Sequence, residues 1–112
     1  LGFRVSQDMQ MPNGYRWVTL QPPEQEDLHI ILMDPADDEN LSKEQVDQLK
    51  GLIKSGALGA GVFASKDCRK TYDEYKSRGV EFITEPKEQF YGIEALMRDN
   101  SGNWFSMTGP KE

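Results

Sequence analysis

The amino-acid sequence predicts an α+β fold built from two similar units, of which the first is incomplete. Three observations lead to this expectation: strand-like segments outnumber helical ones, two strand-rich stretches of similar length recur, and 112 residues suffice for one ordinary domain. We expect a single domain over residues 1–112. Within it, residues 1–35 form the first unit, residues 36–57 an acidic loop and a linking helix, and residues 58–110 the complete second unit.

Charge and composition exclude several classes of protein. The chain has 19 acidic and 13 basic residues, a formal net charge of −6, which disfavours nucleic acid bound mainly through its phosphates. The longest apolar run, residues 30–33, is far short of the ~20 residues of a membrane-spanning helix. A single cysteine leaves no disulfide within the chain and is typical of a reducing compartment, so we expect a cytoplasmic protein.

The first 33 residues are expected to form a meander of three strands. Strand-like patterns occur at residues 4–10, 15–21 and 28–33. An Asn13-Gly14 turn separates the first two strands. The second strand must end at the prolines that follow it, because proline cannot donate a hydrogen bond to a strand ladder.

The linking segment combines an acidic loop with one helix. Residues 34–40 carry four acids and are interpreted as a solvated loop, because they lack the glycine and the closing glutamate of a calcium-binding loop. Ser42 and Gln45 form a capping-box pattern that begins the helix, and Gly56 ends it. The expected buried stripe of this helix is Val46, Leu49, Leu52 and Ile53.

The second half of the chain has a β-α-β-β-β pattern. Strands are predicted at residues 58–66, 80–83, 90–98 and 104–108, with a turn at 99–103. A helix over residues 68–78 begins after the N-cap residue Asp67 and ends at Gly79. One face of this helix holds Cys68, Tyr72 and Tyr75. The cysteine on this buried face is interpreted as a packing residue rather than a reactive thiol.

The two halves of the chain repeat a weak pattern. Residues 1–5 align with 78–82 and residues 32–35 with 107–110, and three strands lie within each interval. The second unit has a leading strand and helix at 58–78 for which the first unit has no counterpart. Because the chain starts without an initiator Met, we expect that a beginning is missing.

Three segments carry a family resemblance: LGFRV, DCRKTYDEYKSRGVEF and YGIEALMRDNSGNWFSM. With the paired units, they resemble the vicinal oxygen chelate superfamily, which includes glyoxalase I, extradiol dioxygenases, fosfomycin-modifying enzymes and bleomycin-binding resistance proteins. The resemblance covers essentially the whole chain and is most specific at residues 91–105, where Asp-Asn-Ser-Gly-Asn replaces the usual Asp-Pro-Asp-Gly turn. It implies mixed sheets curled around a cavity, helices on the outer face, and a dimer.

Period-two alternation assigns each strand one apolar face and one mixed face, and the mixed faces form the predicted pocket. The residues expected on the outer, helix-covered face are Ile93, Ala95, Met97, Phe105 and Met107. On the strand at 58–66, the alternation places Phe63 on the pocket face together with Gly59 and Gly61. The predicted ligand-binding residues are Trp17, Thr19, His29, Phe63, Glu94, Arg98, Trp104 and Ser106.

Several of these residues have more than one interpretation. The aromatic members add flat apolar surface to a pocket, or they pack in a core or a dimer interface. Glu94 contacts ligand, makes a structural hydrogen bond or acts as a base, and Arg98 is a ligand contact or a solvated rim charge. His29 is a partly buried imidazole inside the sheet, a ligand-contacting or acid/base residue, or a metal ligand.

The resemblance also implies where a metal would bind. Enzymes of the superfamily hold one divalent metal through inward His and Glu side chains from the first and last strands of each unit. Carried over by position, the second unit offers Gly61 and Ser106, and the first unit offers His29 or Ile31. Glycine has no side chain, and a serine hydroxyl is a poor substitute for a carboxylate, so we expect no metal and no other cofactor.

Two functions remain as hypotheses. The preferred one is a small-molecule binding protein of the glyoxalase/bleomycin-resistance type, which holds a ligand in an aromatic-lined cavity without a metal. The alternative is a metal-dependent lyase or dioxygenase of the glyoxalase I or extradiol type, which uses His29 with ligands that this chain lacks. We expect a small-molecule partner, no nucleic acid and no membrane. A homodimer, formed by pairing or strand exchange, would cover the sheet surface that the incomplete first unit exposes.

Overall fold

The computed structural model describes residues 1–12 and 14–112, and the predicted turn residue Asn13 lies outside them. The described residues form two β-sheets, two α-helices and one short 3₁₀-helix, which confirms the α+β class. They divide into two compact units, Leu1–Leu49 and Lys50–Glu112. The division falls inside the linking helix, so the predicted linking segment belongs partly to each unit. No helix of the described residues is long and apolar enough to cross a membrane.

The first unit contains an antiparallel sheet of three strands in the order β1-β2-β3. The strands are β1 (Arg4–Gln10), β2 (Arg16–Gln21) and β3 (Ile30–Leu32). The predicted meander is confirmed, although β3 is shorter than expected and leaves His29 outside the strand. The pairing of β1 with β2 skips a residue between Val5 and Gln7, so Ser6 forms a bulge in β1.

Helix α1 (Lys43–Ser55) has the ends that the sequence predicts. Ser42 and Gln45 form the capping box, because the backbone N–H of each donates to the side-chain oxygen of the other, at 2.9 Å and 3.1 Å. Gly56 has a φ of +82°, and a Schellman motif ends the helix, in which the N–H groups of Gly56 and Ala57 donate to the carbonyl oxygens of Ile53 and Leu52. The predicted burial of the stripe is wrong, because Val46, Leu49 and Ile53 are only half-buried and Leu52 is 51% exposed. The periodicity of apolar residues identifies the apolar side of a helix, but it does not tell how much of that side other parts of the protein cover.

The second unit is a mixed sheet with one helix packed on β7 and β8. Its elements are β4 (Gly59–Ala64), α2 (Cys68–Ser77), β5 (Glu81–Phe82), β6 (Lys87–Gln89), β7 (Gly92–Arg98) and β8 (Trp104–Gly109). The sheet order is β4-β8-β7-β5, and β6 also pairs with β7. Strands β4 and β8 run parallel, whereas β7 is antiparallel to all its neighbours.

The start of the predicted strand at 90–98 is wrong. Strand β6 folds back onto β7 and pairs Gln89 with Gly92, which leaves Phe90 and Tyr91 in the turn of a hairpin. The second unit therefore has one strand more than the predicted β-α-β-β-β pattern.

The hydrophobic core of the second unit lies between α2 and the sheet. Its buried members are Cys68, Ile93, Ala95, Met97 and Met107, which confirms the predicted helix-covered face of β7 and β8. Asp67 caps α2 by accepting a hydrogen bond from the backbone N–H of Lys70 at 3.1 Å, and Gly79 follows the helix with a φ of +92°. Tyr72 and Tyr75 pack against this core from α2, as predicted.

The predicted alternation of β4 is interrupted by a bulge. Gly59 pairs with Trp104, but Gly61 pairs with the very next residue of β8, Phe105. Ala60 is therefore an extra residue in β4. Because the side-chain period of a strand is two, one extra residue reverses the face of every residue beyond it.

The face assignment of Phe63 is consequently wrong. Phe63 pairs with Met107 on the core side, where its ring stacks on Phe105 with centroids 5.1 Å apart. Val62 takes the opposite side, beside Ser106, and is 70% exposed.

Candidate ligand-binding site

The side of the second sheet that faces away from the core carries both polar and apolar side chains. We call it the mixed face and define it by Glu94, Leu96, Arg98, Trp104, Ser106, Thr108 and Val62. The register pairs Glu94 with Thr108, Leu96 with Ser106 and Arg98 with Trp104. Directly paired residues of neighbouring strands share a face, so four predicted site residues come together here.

Glu94 is the centre of a hydrogen-bonded cluster on the mixed face. Its Oε1 accepts a hydrogen bond from the Tyr91 hydroxyl at 2.6 Å, and its Oε2 accepts one from Ser106 Oγ at 2.5 Å. Ser106 is only 5% exposed, and its Oγ lies 3.0 Å from Thr108 Oγ1. Since Ser106 uses its proton on the carboxylate, it accepts from Thr108. Hydroxyl groups therefore orient both oxygens of this carboxylate.

Tyr91 is a member of the cluster that was not predicted from the sequence. The alternation treated it as a strand residue, whereas the hairpin turn directs its hydroxyl to Glu94, three residues further on. The hydrogen bond to Glu94 is the main cause that raises the pKa of Tyr91 above its usual 10.0, with desolvation and the negative charge adding to it. The phenol thus stays protonated as a donor. Gly92, with a φ of +146°, was the available sequence signal for a turn.

Arg98 and Trp104 lie at the other end of the mixed face, and both pack against glycines. Arg98 Nη1 donates to the Gly102 carbonyl oxygen at 2.8 Å, and a Cβ atom at Gly56 would overlap the guanidinium group. A Cβ atom at Gly59 would overlap the Trp104 ring in the same way. Both side chains have defined structural contacts, and their contacts with a ligand stay predictions.

The first unit holds three of the predicted residues, Trp17, Thr19 and His29, and the last two lie beside the bulge in β1. Ser6 Oγ lies 2.6 Å from Thr19 Oγ1 and 3.1 Å from His29 Nδ1, so the bulged serine joins these two predicted residues. Thr19 is buried, but His29 is exposed and precedes β3, so its interpretation as a partly buried imidazole inside the sheet is wrong. Trp17 is half-buried, and its Nε1 donates to Gln7 Oε1 at 3.1 Å. Ser6 was not among the predicted site residues, because alternation along β1 does not show the bulge that brings its hydroxyl to Thr19 and His29.

The residues present do not fit the divalent metal that the resemblance implies. In residues 1–12 and 14–112, no three His, Cys, Asp or Glu side chains form a group that could hold a metal ion. The bulge also moves the position on β4 that faces the site from Gly61 to Val62, which has no ligand atom either. One carboxylate among hydroxyls and apolar groups is a poor donor set for such an ion.

A separate depression of about 270 Å³ lies within the first unit. It is lined by Tyr15, Met33, Asp37, Asp38, Glu39 and Asn40. None of the predicted site residues contributes to it, and its acidic wall is the loop that includes the 3₁₀-helix Pro35–Asp37. We assign the candidate site to the mixed face and not to this depression. Ligand sites typically combine converging polar groups with apolar surface, and the mixed face has both.

Comparison with known proteins identifies the family of this chain. Residues 1–107 match the family described as the Glyoxalase/Bleomycin resistance protein/Dioxygenase superfamily. Because the match spans nearly the whole chain, the chain belongs to this superfamily. The resemblance seen in the sequence is confirmed.

Individual proteins are similar to this chain in sequence and in structure. The uncharacterized protein YurT of Bacillus subtilis (strain 168) is 33% identical over 103 residues, which cover 92% of this chain and 76% of that protein. The crystal structure of UcmS2 has 34% identity and a TM-score of 0.86, and the match covers 96% of this chain and 79% of that one. TnmS3, an antibiotic binding protein from Streptomyces sp. CB03234, shares the fold with a TM-score of 0.70 at 21% identity, over 98% and 77% of the two chains.

Proposed function

We propose that this chain is a small-molecule binding protein of the glyoxalase/bleomycin-resistance type that holds its ligand without a metal. The observation that carries the proposal is the carboxylate of Glu94, oriented by Tyr91 and Ser106 on a sheet face that bears exposed apolar surface. Small-molecule sites typically combine a few fixed polar groups with apolar walls. Fixing the polar group before binding reduces the entropy that a ligand must overcome.

Apolar side chains beside the cluster support a binding role over a purely structural one. Phe90 is 89% exposed, and its ring meets that of Tyr91 edge-on with centroids 5.0 Å apart. Val62 projects from β4 beside Ser106 on the same face. Exposed aromatic and aliphatic groups next to an oriented carboxylate are costly in water and useful to a ligand.

The absence of a suitable donor set supports binding without a metal. The family includes metal-dependent enzymes by resemblance, but at the two ligand positions of the second unit this chain has Ser106 and Val62, and no group of three His, Cys, Asp or Glu side chains that could hold a metal ion occurs among the described residues. TnmS3, an antibiotic binding protein, has the same fold, so a binding role is compatible with this architecture.

Metal analysis combined with ligand screening tests the proposal. We expect the purified chain, after exposure to zinc, nickel, manganese and iron salts and desalting, to retain only substoichiometric metal. Compounds that raise its melting temperature in a thermal-shift screen should do so equally in EDTA. Stoichiometric metal that is lost in His29→Ala, but kept in the exposed control Asp27→Ala, would establish the metal-dependent alternative instead.

A further inference from the structure

We infer that the mixed face recognises a small molecule that carries an amine cation on an apolar or aromatic body, with Glu94 as its counter-ion. The inference rests on the proposed binding function and adds the chemical class of the ligand. Three features carry it: the charge of Glu94, the positions of the nearby cationic side chains, and the apolar groups around the carboxylate.

Glu94 presents a negative charge that its hydrogen bonds do not neutralise. The hydroxyls of Tyr91 and Ser106 donate to its two oxygens at 2.6 Å and 2.5 Å. Hydroxyl donors carry no charge, and each carboxylate oxygen has a further lone pair for another donor.

The cationic side chains near Glu94 leave this charge without an ion pair. Lys87 is its cross-strand partner on β6, but within the described part of the chain the exposed lysine forms no salt bridge with it. Arg98 lies four residues further along β7, about 13 Å at ~3.3 Å per residue. Its guanidinium is bound to the Gly102 carbonyl and packed on Gly56. Among the described residues Glu94 therefore has no salt-bridge partner, and a bound ligand could supply its counter-ion.

The apolar neighbours indicate what such a cation is attached to. Phe90 and Tyr91 form an edge-to-face aromatic pair next to the carboxylate, and Phe90 is almost fully exposed. Val62 adds exposed aliphatic surface beside Ser106. An apolar or aromatic body would cover these groups while its ammonium group meets Glu94, and cation–π contact with the aromatic pair favours the same charge.

A ligand group with a single positive charge fits this site better than a divalent metal ion does. One carboxylate supplies one negative charge, whereas divalent metals require several oxygen or nitrogen ligands around them. The three N–H groups of a primary ammonium match one carboxylate and neighbouring hydroxyl oxygens. The geometry therefore points to an amine rather than a metal ion.

Three naphthalene probes of matched shape test the inference. Isothermal titration calorimetry would compare 2-naphthylmethylamine, which is cationic at neutral pH, with 2-naphthylmethanol and 2-naphthoate. We expect the amine to bind about tenfold tighter than the alcohol, because charge-assisted hydrogen bonds are about twice as strong as neutral ones. The carboxylate probe should bind most weakly. Added salt should weaken the amine and leave the alcohol unchanged.

Matched variants locate the preference. Glu94→Gln keeps the shape of the side chain and should make amine and alcohol bind equally. Glu88→Gln makes the same charge change on β6, on the side that pairs with Ile93, and should keep the preference. Lys87→Gln should keep or strengthen the preference for the amine, because it removes a cation that competes for Glu94.

The outcomes separate the two proposals. The amine class of the ligand would be wrong if the alcohol binds as tightly as the amine. It would also be wrong if the preference for the amine is insensitive to salt and survives in Glu94→Gln. Either result would leave the binding function unaffected. If none of the three probes binds and thermal-shift screening finds no ligand, the binding function itself is wrong.

Discussion

At the scale of single residues, the surroundings decide what a titratable side chain does. Cys68 stands in the first turn of α2, where a helix dipole generally lowers the pKa of a thiol. The side chain is only 2% exposed, and its Sγ lies 3.5 Å from the Met107 carbonyl oxygen. Burial is the main influence and raises the pKa of the Cys68 thiol above its usual 9.0. The packing role predicted for this cysteine is confirmed.

The raised pKa of Cys68 predicts how this residue contributes to stability as the pH changes. The folded chain favours the neutral thiol, so the contribution is fully present below the usual pKa of 9.0 and is lost as the pH rises through the higher folded value. We expect the stability advantage of the wild type over Cys68→Ala, measured by urea unfolding, to shrink between about pH 7 and about pH 10. A difference that stays constant over this range would contradict the shift.

At the scale of strands, two bulges decide which side chains meet. The extra residue Ser6 in β1 brings a hydroxyl to Thr19 and His29. The extra residue Ala60 in β4 directs Phe63 into the core instead of the predicted pocket. A strand with a bulge still shows a regular-looking sequence, so alternation by itself cannot reveal where the register shifts.

The glycines on either side of the β4 bulge provide a test of the local packing. A Cβ atom at Gly59 would overlap the ring of Trp104, whereas no atom of the described residues lies within 4 Å of a Cβ atom at Gly61. We expect Gly59→Ala to lower the free energy of unfolding by about 1–3 kcal/mol, because the large ring must move. Gly61→Ala should stay within about 0.5 kcal/mol of the wild type. Urea unfolding followed by tryptophan fluorescence measures both, and equal effects of the two substitutions would refute this packing.

At the scale of the whole molecule, apolar burial is uneven between the two units. Within the described residues, the buried apolar side chains with their packed neighbours belong to Lys50–Glu112. The sheet of the first unit instead exposes Val5 and Leu32, on the face that they share with Leu20. Small sheets require a covered apolar face for stability.

The predicted homodimer stays a prediction, and we expect it to form on this face of the first unit. Light scattering should give twice the chain mass. Leu32→Lys should shift the protein towards the monomer, because it places a charge in the apolar contact. Leu52→Lys changes an equally exposed leucine on α1, at 51% against 50%, and should leave the dimer intact. A monomeric wild type, or a dimer insensitive to Leu32→Lys, would be inconsistent with this interface.

The sequence by itself determined the features that depend on neighbours a few residues away. The capping box at Ser42 and the N-cap at Asp67 begin the helices where predicted. In the turn after β7, the Asp99 carboxylate accepts three backbone N–H groups at 2.9 Å. Regular alternation along β7 and β8 also sufficed to place Glu94 and Ser106 on one face. The residue patterns at 1–5, 67–82 and 91–107 were enough to indicate the superfamily.

Only the tertiary structure decided how the distant parts of the chain meet. It brought Tyr91 to Glu94 through a hairpin that alternation missed, moved Phe63 from the predicted pocket to the core, and left His29 exposed beside Ser6. Each of these outcomes depends on pairing between separate strands. The physical reason is that strand register is set by contacts with partners far along the chain, and a shift of one residue moves a side chain to the other face.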